Sequence, residues 1–456
     1  MPNWTVHEGL PISNYSTLGT WAPTSIASEA HITNRVAELV EASSVVISDA
    51  RQVNGAIVAA NPRHQAASPE AVDYGYMWLR DAAENLRAAH AANLAITPDL
   101  RQGIVGWIND TMPSETPDVL GPKTAGKREH VSGGHDASYY SPAGYQPPEW
   151  QPDNNALMVA ALLDTSDGPL DTQTFSAVRS LCQGLVNHWD SRSGYFTGNV
   201  ENQWENHIVQ DRHFTHTIVA GAYALTAAGN FIPQKPTSSD IKDMATWRAM
   251  GNRLYQIFEA EKPYASESPG VPYHRLLRAE GRQHEYNPLD SGVTLVLPAF
   301  LRPETPEHVH ERAANTIQTI GRLLLSSGLD GAPMGTYRYR NDTYDGIYRP
   351  NGAEAGAGSW PLLLFSHSLA LRHIGDTTTA RRLFLGGVHT LDRLYQDGVL
   401  PDNLIPEQVF PDGDKRQGRG IIPLVWSHGM FLRAASALGY ISDPGQPLDR
   451  AIHLEQ

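Results

Sequence analysis

Residues 359–396 read SWPLLLFSHSLALRHIGDTTTARRLFLGGVHTLDRLYQ, and two helices set back to back account for them. Gly375 ends the first, because glycine accepts the left-handed conformation that closes a helix. Asp376 caps the second, where a carboxylate can accept from a free N–H of the first turn. Ala380, Leu383, Gly387, Leu391 and Leu394 then fall on one face at helical spacing. So short a link makes the pair a helical hairpin.

Working outward, residues 305–327 repeat the pattern. Thr305 is placed to cap, Pro306 takes the first helical position, and Val309, Ala313, Ile317, Ile320 and Leu324 form the stripe. The same reading over the whole chain predicts about twelve helices, at 25–50, 78–93, 98–112, 153–165, 172–190, 209–229, 239–262, 289–301, 305–327, 359–375, 376–396 and 421–438. Strand alternation is scarce, and no low-complexity linker or charge block marks a boundary. Connections after helices two, four, eight and ten are short. Those before helices two, four, six, ten and twelve are long and rich in Trp, Tyr, Gly, Pro, Asn, Asp and Glu.

Twelve helices with long loops at every second junction predict an all-α fold of six hairpins closed in a ring, an (α/α)6 barrel with its long loops gathered at one end. The expected organisation is one barrel domain over residues 25–440, with an N-terminal extension at 1–24 and a C-terminal tail at 441–456. The longest loop, about 113–150, carries Gly133-Gly134 and Tyr139-Tyr140 and suits a lid or pocket wall.

Composition narrows the function. A formal net charge of -14 disfavours a nucleic-acid backbone or an anionic membrane surface as partner. No apolar run approaches the ~20 residues of a membrane span. One cysteine, Cys182, in an apolar helical pattern excludes an internal disulfide and reads as a buried structural thiol. The first residues carry no basic and apolar leader, so a cytoplasmic protein is expected. HExxH, CxxC, GxxxxGK[ST], DDxxD and GxSxG are all missing from the sequence, and His213 and His216, spaced i,i+3, have no obvious third ligand.

Four segments carry candidate chemistry. Tyr74-Gly75-Tyr76-Met77-Trp78-Leu79-Arg80-Asp81 puts an Arg-Asp pair beside aromatic rings at a helix start, as gripping sugar hydroxyls requires. Alone, an aspartate serving the helix dipole with arginine as its partner explains it better. In Asn202-Gln203-Trp204-Glu205-Asn206-His207 a carboxyl directly after an indole can be held poorly hydrated, which favours the neutral, proton-donating form. An exposed turn glutamate is the plainer alternative. In Pro401-Asp402-Asn403-Leu404-Ile405-Pro406-Glu407-Gln408 a glutamate fixed by a preceding proline can act as base on water, or do nothing. Arg338-Tyr339-Arg340-Asn341-Asp342-Thr343-Tyr344 offers Arg338 and Asp342 to the same pocket, or a surface turn held by ion pairs.

Together the four weigh differently, because each precedes an inner helix and the barrel brings them to one rim. Two carboxylates facing one cleft suit acetal cleavage: one protonates the leaving oxygen, and the other activates water or attacks carbon.

At these residues the sequence resembles glycoside hydrolase family 15, the glucoamylases and their relatives, which include glucodextranases, isomaltose glucohydrolases and trehalases. The family's Tyr-x-x-x-Trp-x-Arg-Asp is matched by Tyr74, Trp78, Arg80 and Asp81. Its Trp-Glu-Glu is matched by Trp204-Glu205, and its Arg-Tyr-x-x-Asp-x-Tyr by Arg338, Tyr339, Asp342 and Tyr344. Glu407-Gln408 stands for its base motif, followed by Trp426-Ser427-His428. Gln151-Pro152-Asp153 and Leu289-Asp290 match more weakly. The matches run in order from about residue 74 to 437.

The resemblance implies that Tyr74 lies against the terminal sugar and that Arg80 and Asp81 hold its far hydroxyls. Glu205 is then the general acid and Glu407 the general base of an inverting, exo-acting hydrolase that releases β-D-glucose from short α-glucans. Trp78, Trp204, Asn206, Arg338 and Trp426 complete the substrate site. The partner is a small glucose oligosaccharide, with no metal or organic cofactor. Inversion sets the two carboxyls roughly 6.5–9.5 Å apart. Asn206 departs from the family's second glutamate, which leaves α-1,6-glucans such as isomaltose, or trehalose, as alternative substrates. A carbohydrate-binding regulator on the same barrel is the non-enzyme alternative, and retention of both Glu205 and Glu407 argues against it.

Overall fold

A computed structural model describes residues 26–60, 75–112, 123, 150–197, 204, 212–260, 273, 276–278, 289–300, 305–340, 342, 344, 356–410 and 421–441. Among them are twelve α-helices: α1 (Ile26–Asp49), α2 (Leu79–Ala91), α3 (Thr97–Asp110), α4 (Pro152–Asp164), α5 (Thr172–Asn187), α6 (Thr215–Asn230), α7 (Ser238–Ala260), α8 (Val293–Val296), α9 (Glu307–Leu324), α10 (Pro361–His373), α11 (Thr377–Gln396) and α12 (Val425–Ala437). The even-numbered helices pack each on the next, and α12 returns to α2, closing an inner ring. The odd-numbered helices lie outside it. This is the (α/α)6 barrel.

Sequence separates the two rings. The inner helices α4 and α10 are buried over nearly their whole length, from Pro152 to Leu163 and from Pro361 to Leu371, because neighbours cover every side. The outer helices α9 and α11 bury one face and leave charged residues on the other. Caps fix several starts. Asp171 and Asp376 accept from the backbone N–H of Thr174 and Thr379 at 2.8 and 3.1 Å. Gly375, at φ +91°, turns the chain directly from α10 into α11.

Five inner helices are entered from extended residues: Trp78, Gln151, Phe214, Trp360 and Leu424. The inner N-termini therefore share one end of the barrel, with their positive dipole ends and free N–H groups.

Several predicted bounds shift. Pro306 is the N-cap of α9 rather than its first helical residue, and the helix begins at Glu307. Residues 325–327, read as its last turn, form β5 (Leu325–Ser327), which pairs antiparallel with β6 (Pro333–Thr336). The span predicted at 289–301 is one turn of α8 followed by a 3-10 turn, Leu297–Phe300. Two further antiparallel pairs join β1 (Trp189–Asp190) to β2 (Tyr195–Phe196) and β3 (Arg212–Phe214) to β4 (Leu276–Arg278).

Bridges lace the segments before α8, α10 and α12 together: Asp290 with Tyr339, Thr336 with Trp360, and Ser359 with Val409. Most of the 113–150 loop lies outside the described residues. Its Lys123 is buried, and its ammonium donates to the carbonyls of Met112 at 2.6 Å and Asn109 at 3.3 Å, behind the C-terminus of α3.

First and last hairpins meet along a seam. Arg433 pairs with Glu84, and Ser436 Oγ donates to Ala91 O at 2.6 Å. Val425 N–H donates to Ala59 O at 3.0 Å, and Asp392 receives His31 and Arg35, each at 2.8 Å. Gly429 lets α12 lie close on α2: a Cβ there would meet Asn85 Oδ1 at 2.4 Å. Cys182 is fully buried in α5, and burial pushes its thiol pKa up.

Candidate active site

The rim at the inner N-termini collects buried aromatic and charged residues. Arg80, in the first turn of α2, is 5% exposed. It donates to Asp81 through Nε at 3.2 Å and Nη2 at 3.1 Å, and its guanidinium lies 4.6 Å from the centre of the Trp426 ring. Trp78, the extended residue that enters α2, is buried and edge-on to Tyr76 at 6.4 Å. Asp81 is therefore at once the arginine's partner and a carboxylate in the first turn of a helix.

A second centre forms around Arg338. Its Nε and Nη2 each donate to Asp342, both at 2.6 Å, in a bidentate buried pair. The guanidinium sits among four rings, those of Tyr344, Trp360, Trp204 and Tyr339, at 4.8, 5.1, 5.4 and 5.5 Å. Burial works against its charge, but Asp342 more than compensates, and the Arg338 pKa lies above the ordinary guanidinium range.

Trp204 stacks obliquely with Trp360 at 5.7 Å and Trp426 at 6.3 Å. Its indole N–H donates to Asp290 Oδ1 at 2.8 Å, which also takes the N–H of Gly292. One aromatic wall thus joins the segments before α6 and α10 to the first turn of α12, and Asp290 ties it to the segment before α8.

Glu407 is 2% exposed, and its Oε1 lies 3.5 Å from Tyr344 Oη, at the outer limit of a hydrogen bond. The Tyr344 ring stacks on Trp360 at 6.2 Å, which ties Glu407 to the wall that holds Trp204. Gln408 Oε1 accepts from Gly358 N–H at 2.8 Å, and Ser359 and Val409 exchange backbone bonds at 2.8 and 2.7 Å. A carboxylate so little hydrated, on backbone pinned at its neighbours, suits proton transfer at a fixed point.

Of the residues read from sequence, Trp78, Arg80, Asp81, Trp204, Arg338, Trp426 and Glu407 all lie buried at this rim. Tyr74, Glu205 and Asn206 lie outside the described residues, and so does the expected Glu205–Glu407 separation. The sequence reading missed Trp360. Its signal was available, since Trp360 directly precedes Pro361 at a helix start, just as Trp78 precedes Leu79.

Also missed was a contact between Asp153 and His216, both fully buried in the first turns of α4 and α6, with Oδ2 and Nδ1 3.8 Å apart. Burial, reinforced by Arg80, drives the His216 pKa down to about 3, so the ring is neutral and the contact is no ion pair. Burial, against Arg80, lifts the Asp153 carboxyl to about 6 from its ordinary 3.8. The fold therefore holds a proton on Asp153 that the unfolded chain releases, and this carboxyl's own contribution to stability falls as pH rises through that window. Asp153→Asn should gain relative to wild type by up to about 3 kcal/mol between pH ~4 and ~6 and level off above. A difference in denaturant midpoint that stays flat across those pH values refutes the assignment.

Fold and rim together define a glycoside hydrolase of the helical-barrel class. A sequence model described as Glycosyl hydrolases family 15 matches residues 36–436, and the chain belongs to that family. No curated protein sequence matches it. Among solved structures, one titled as a wild-type glycosidase is 20% identical, with 90% of this chain and 99% of that one covered at a TM-score of 0.61. A glucoamylase from Saccharomycopsis fibuligera is 15% identical, with 94% and 98% covered at 0.58. A bacterial glucoamylase complexed with acarbose is 16% identical, with 88% and 55% covered at 0.55. At such identities these likenesses speak for the fold.

Proposed function

We propose that the chain is an inverting, exo-acting α-glucoside hydrolase that removes single glucose units from the non-reducing ends of short α-glucans. The observation that carries this is the run of contacts from Trp204 through Trp360 and Tyr344 to Glu407. It sets the buried Glu407 on the same aromatic wall as the residue directly before Glu205. Glu205 donates its proton to the glycosidic oxygen. Glu407 takes a proton from water, which attacks the anomeric carbon from the opposite face, so an α-linkage yields β-glucose.

Arg80 and Asp81 grip the far hydroxyls of the terminal sugar and close the pocket behind it, with Tyr74 against its face. The aromatic rings supply flat apolar surface for the sugar. Solved relatives support a glucose-type ligand: one, titled as a glycosidase with a glutamate-to-alanine substitution, is in complex with glucose, and the bacterial glucoamylase holds acarbose. We read residues 25–440 as one catalytic domain. One cysteine in the sequence fits a reducing compartment such as the cytoplasm. No described helix is long and apolar enough to cross a membrane.

The test is a product assay over maltose, isomaltose, trehalose, maltooligosaccharides, dextran and starch, with the anomer followed by NMR in the first minutes. The non-reducing-end glucose released first as the β-anomer, beside a chain shortened by one unit, is the expected result; that unit released as the α-anomer, or internal fragments, overturns it. Asn206 bears on linkage, because an uncharged amide both donates and accepts where the family's glutamate only accepts. Asn206→Glu should move the ratio of kcat/KM for maltose to that for isomaltose severalfold toward maltose, and an unmoved ratio removes Asn206 from the linkage site.

A further inference from the structure

Residues 405–407 are clamped along the stretch that opens α12. Glu407 N–H donates to Ile421 O at 2.9 Å, and Leu424 N–H to Ile405 O at 3.1 Å. Ser427 Oγ donates to Pro406 O at 3.0 Å. The fourth bond differs in kind. Ile405 N–H points at His428 Nε2, 3.0 Å away. A ring nitrogen can accept only when it carries no proton, so the single ring proton of this imidazole sits on Nδ1. There Nδ1–H meets Ser43 Oγ at 2.8 Å, on the outer helix α1.

Ser43 and His428 are both fully buried. Burial pushes the imidazole pKa down to about 3, so the ring is neutral near neutral pH. With both nitrogens engaged, the tautomer is fixed by Ile405 N–H, which can only donate and so requires a bare Nε2; Ser43 Oγ, able to donate or accept, takes the Nδ1–H and holds the ring from the outer wall. A structural core histidine needs only satisfied nitrogens. This one uses them on the backbone two residues before Glu407.

We propose that His428, set by Ser43, is a positioning residue for Glu407 that holds the carboxylate where it must meet the attacking water. The inference rests on the reading of Glu407 as general base. A displacement on the order of 1 Å at such a group costs roughly a hundredfold in rate. Substrate affinity depends on other residues, so the loss falls on kcat.

The test measures kcat and KM on maltose, with melting temperatures, for His428→Leu, His428→Gln, Ser43→Ala and the Ser43→Ala/His428→Gln double variant, beside Glu407→Ala. His428→Leu should lower kcat about ten- to a hundredfold with KM within about twofold. His428→Gln, whose Oε1 reaches the place of Nε2 and needs no tautomer, should recover most of that loss. Ser43→Ala should lower kcat severalfold in the wild-type background and have no effect beside Gln, a non-additivity that simple destabilisation does not produce.

Wild-type kcat in folded His428→Leu, equal losses in the Leu and Gln variants, or additive Ser43→Ala and His428→Gln effects each overturn the proposal. If His428→Leu does not fold, Ser43→Ala decides, and an unchanged kcat overturns it. Glu407→Ala separates the levels. Wild-type turnover there sinks the base reading and this inference together. An inactive Glu407→Ala beside a fully active His428→Leu sinks only this one.

Discussion

Glu407→Ala is expected to lower kcat on maltose by about 10³-fold or more, and to lower it as severely on α-glucosyl fluoride. General-base catalysis is worth roughly 10²–10⁴-fold, and the attacking water needs its base whichever group leaves. Glu205→Gln should lower maltose turnover comparably, because the glycosidic oxygen then departs without a proton. On the fluoride its effect should be far smaller, since that leaving group scarcely needs one. The contrast between two substrates separates the roles, where a plain loss of activity only says that both residues matter. Equal sensitivity of the fluoride to both substitutions removes the acid–base assignment, and a folded Glu407→Ala that turns over maltose normally removes Glu407 from the chemistry.

Arg338 carries the largest expected effect on stability. Its guanidinium is buried, bidentate on Asp342 and enclosed by four aromatic rings. Removing one member of a buried pair leaves the other charge without compensation, at a cost of about 3–5 kcal/mol. Arg338→Met and Asp342→Leu should each lower the denaturant midpoint accordingly. The double change Arg338→Met/Asp342→Leu should cost less than the two single losses added, because it strands no charge. It should still be nearly inactive, since the wall that holds Tyr344 beside Glu407 loses its centre. Additive losses at the two positions indicate independent contributions rather than a pair, and wild-type activity in the double variant excludes Arg338 from the site.

Much of this was written in local sequence. The outer helices announce themselves by one apolar face, Asp171 and Asp376 mark their starts with a side-chain cap, and Gly375 marks the turn from α10 into α11, all chemistry that acts within three or four residues. Ring closure was legible only through the alternation of short and long connections. The strands were not legible, since β1 and β2 have two residues each, too few for a period to show. α8 was overestimated because the apolar run at 293–300 does not distinguish one α-turn and a 3-10 turn from a longer helix.

Within the site, Arg80-Asp81 and Trp204 stood out because neighbours in sequence shared chemistry. Asp153 with His216, and Ser43 with His428, could not stand out. Each pair joins residues far apart in the chain, and neither partner is unusual where it stands.

The seam between first and last hairpins has a consequence for biosynthesis. Glu84 waits for Arg433, Ala91 for Ser436, Ala59 for Val425, and Ser43 for His428, across sequence separations of 345 to 385 residues for the three side-chain contacts among them. During translation every earlier hairpin can stack on its neighbour, yet the ring stays open until α12 clears the ribosome. Until then the apolar flank of α2 has no cover, and the loop bearing Glu407 has nothing to be clamped against. The nascent chain thus carries an unsealed hydrophobic edge for most of its synthesis, a surface that chaperones bind and aggregation exploits. Catalytic competence and protection from that fate arrive together, with the last helix.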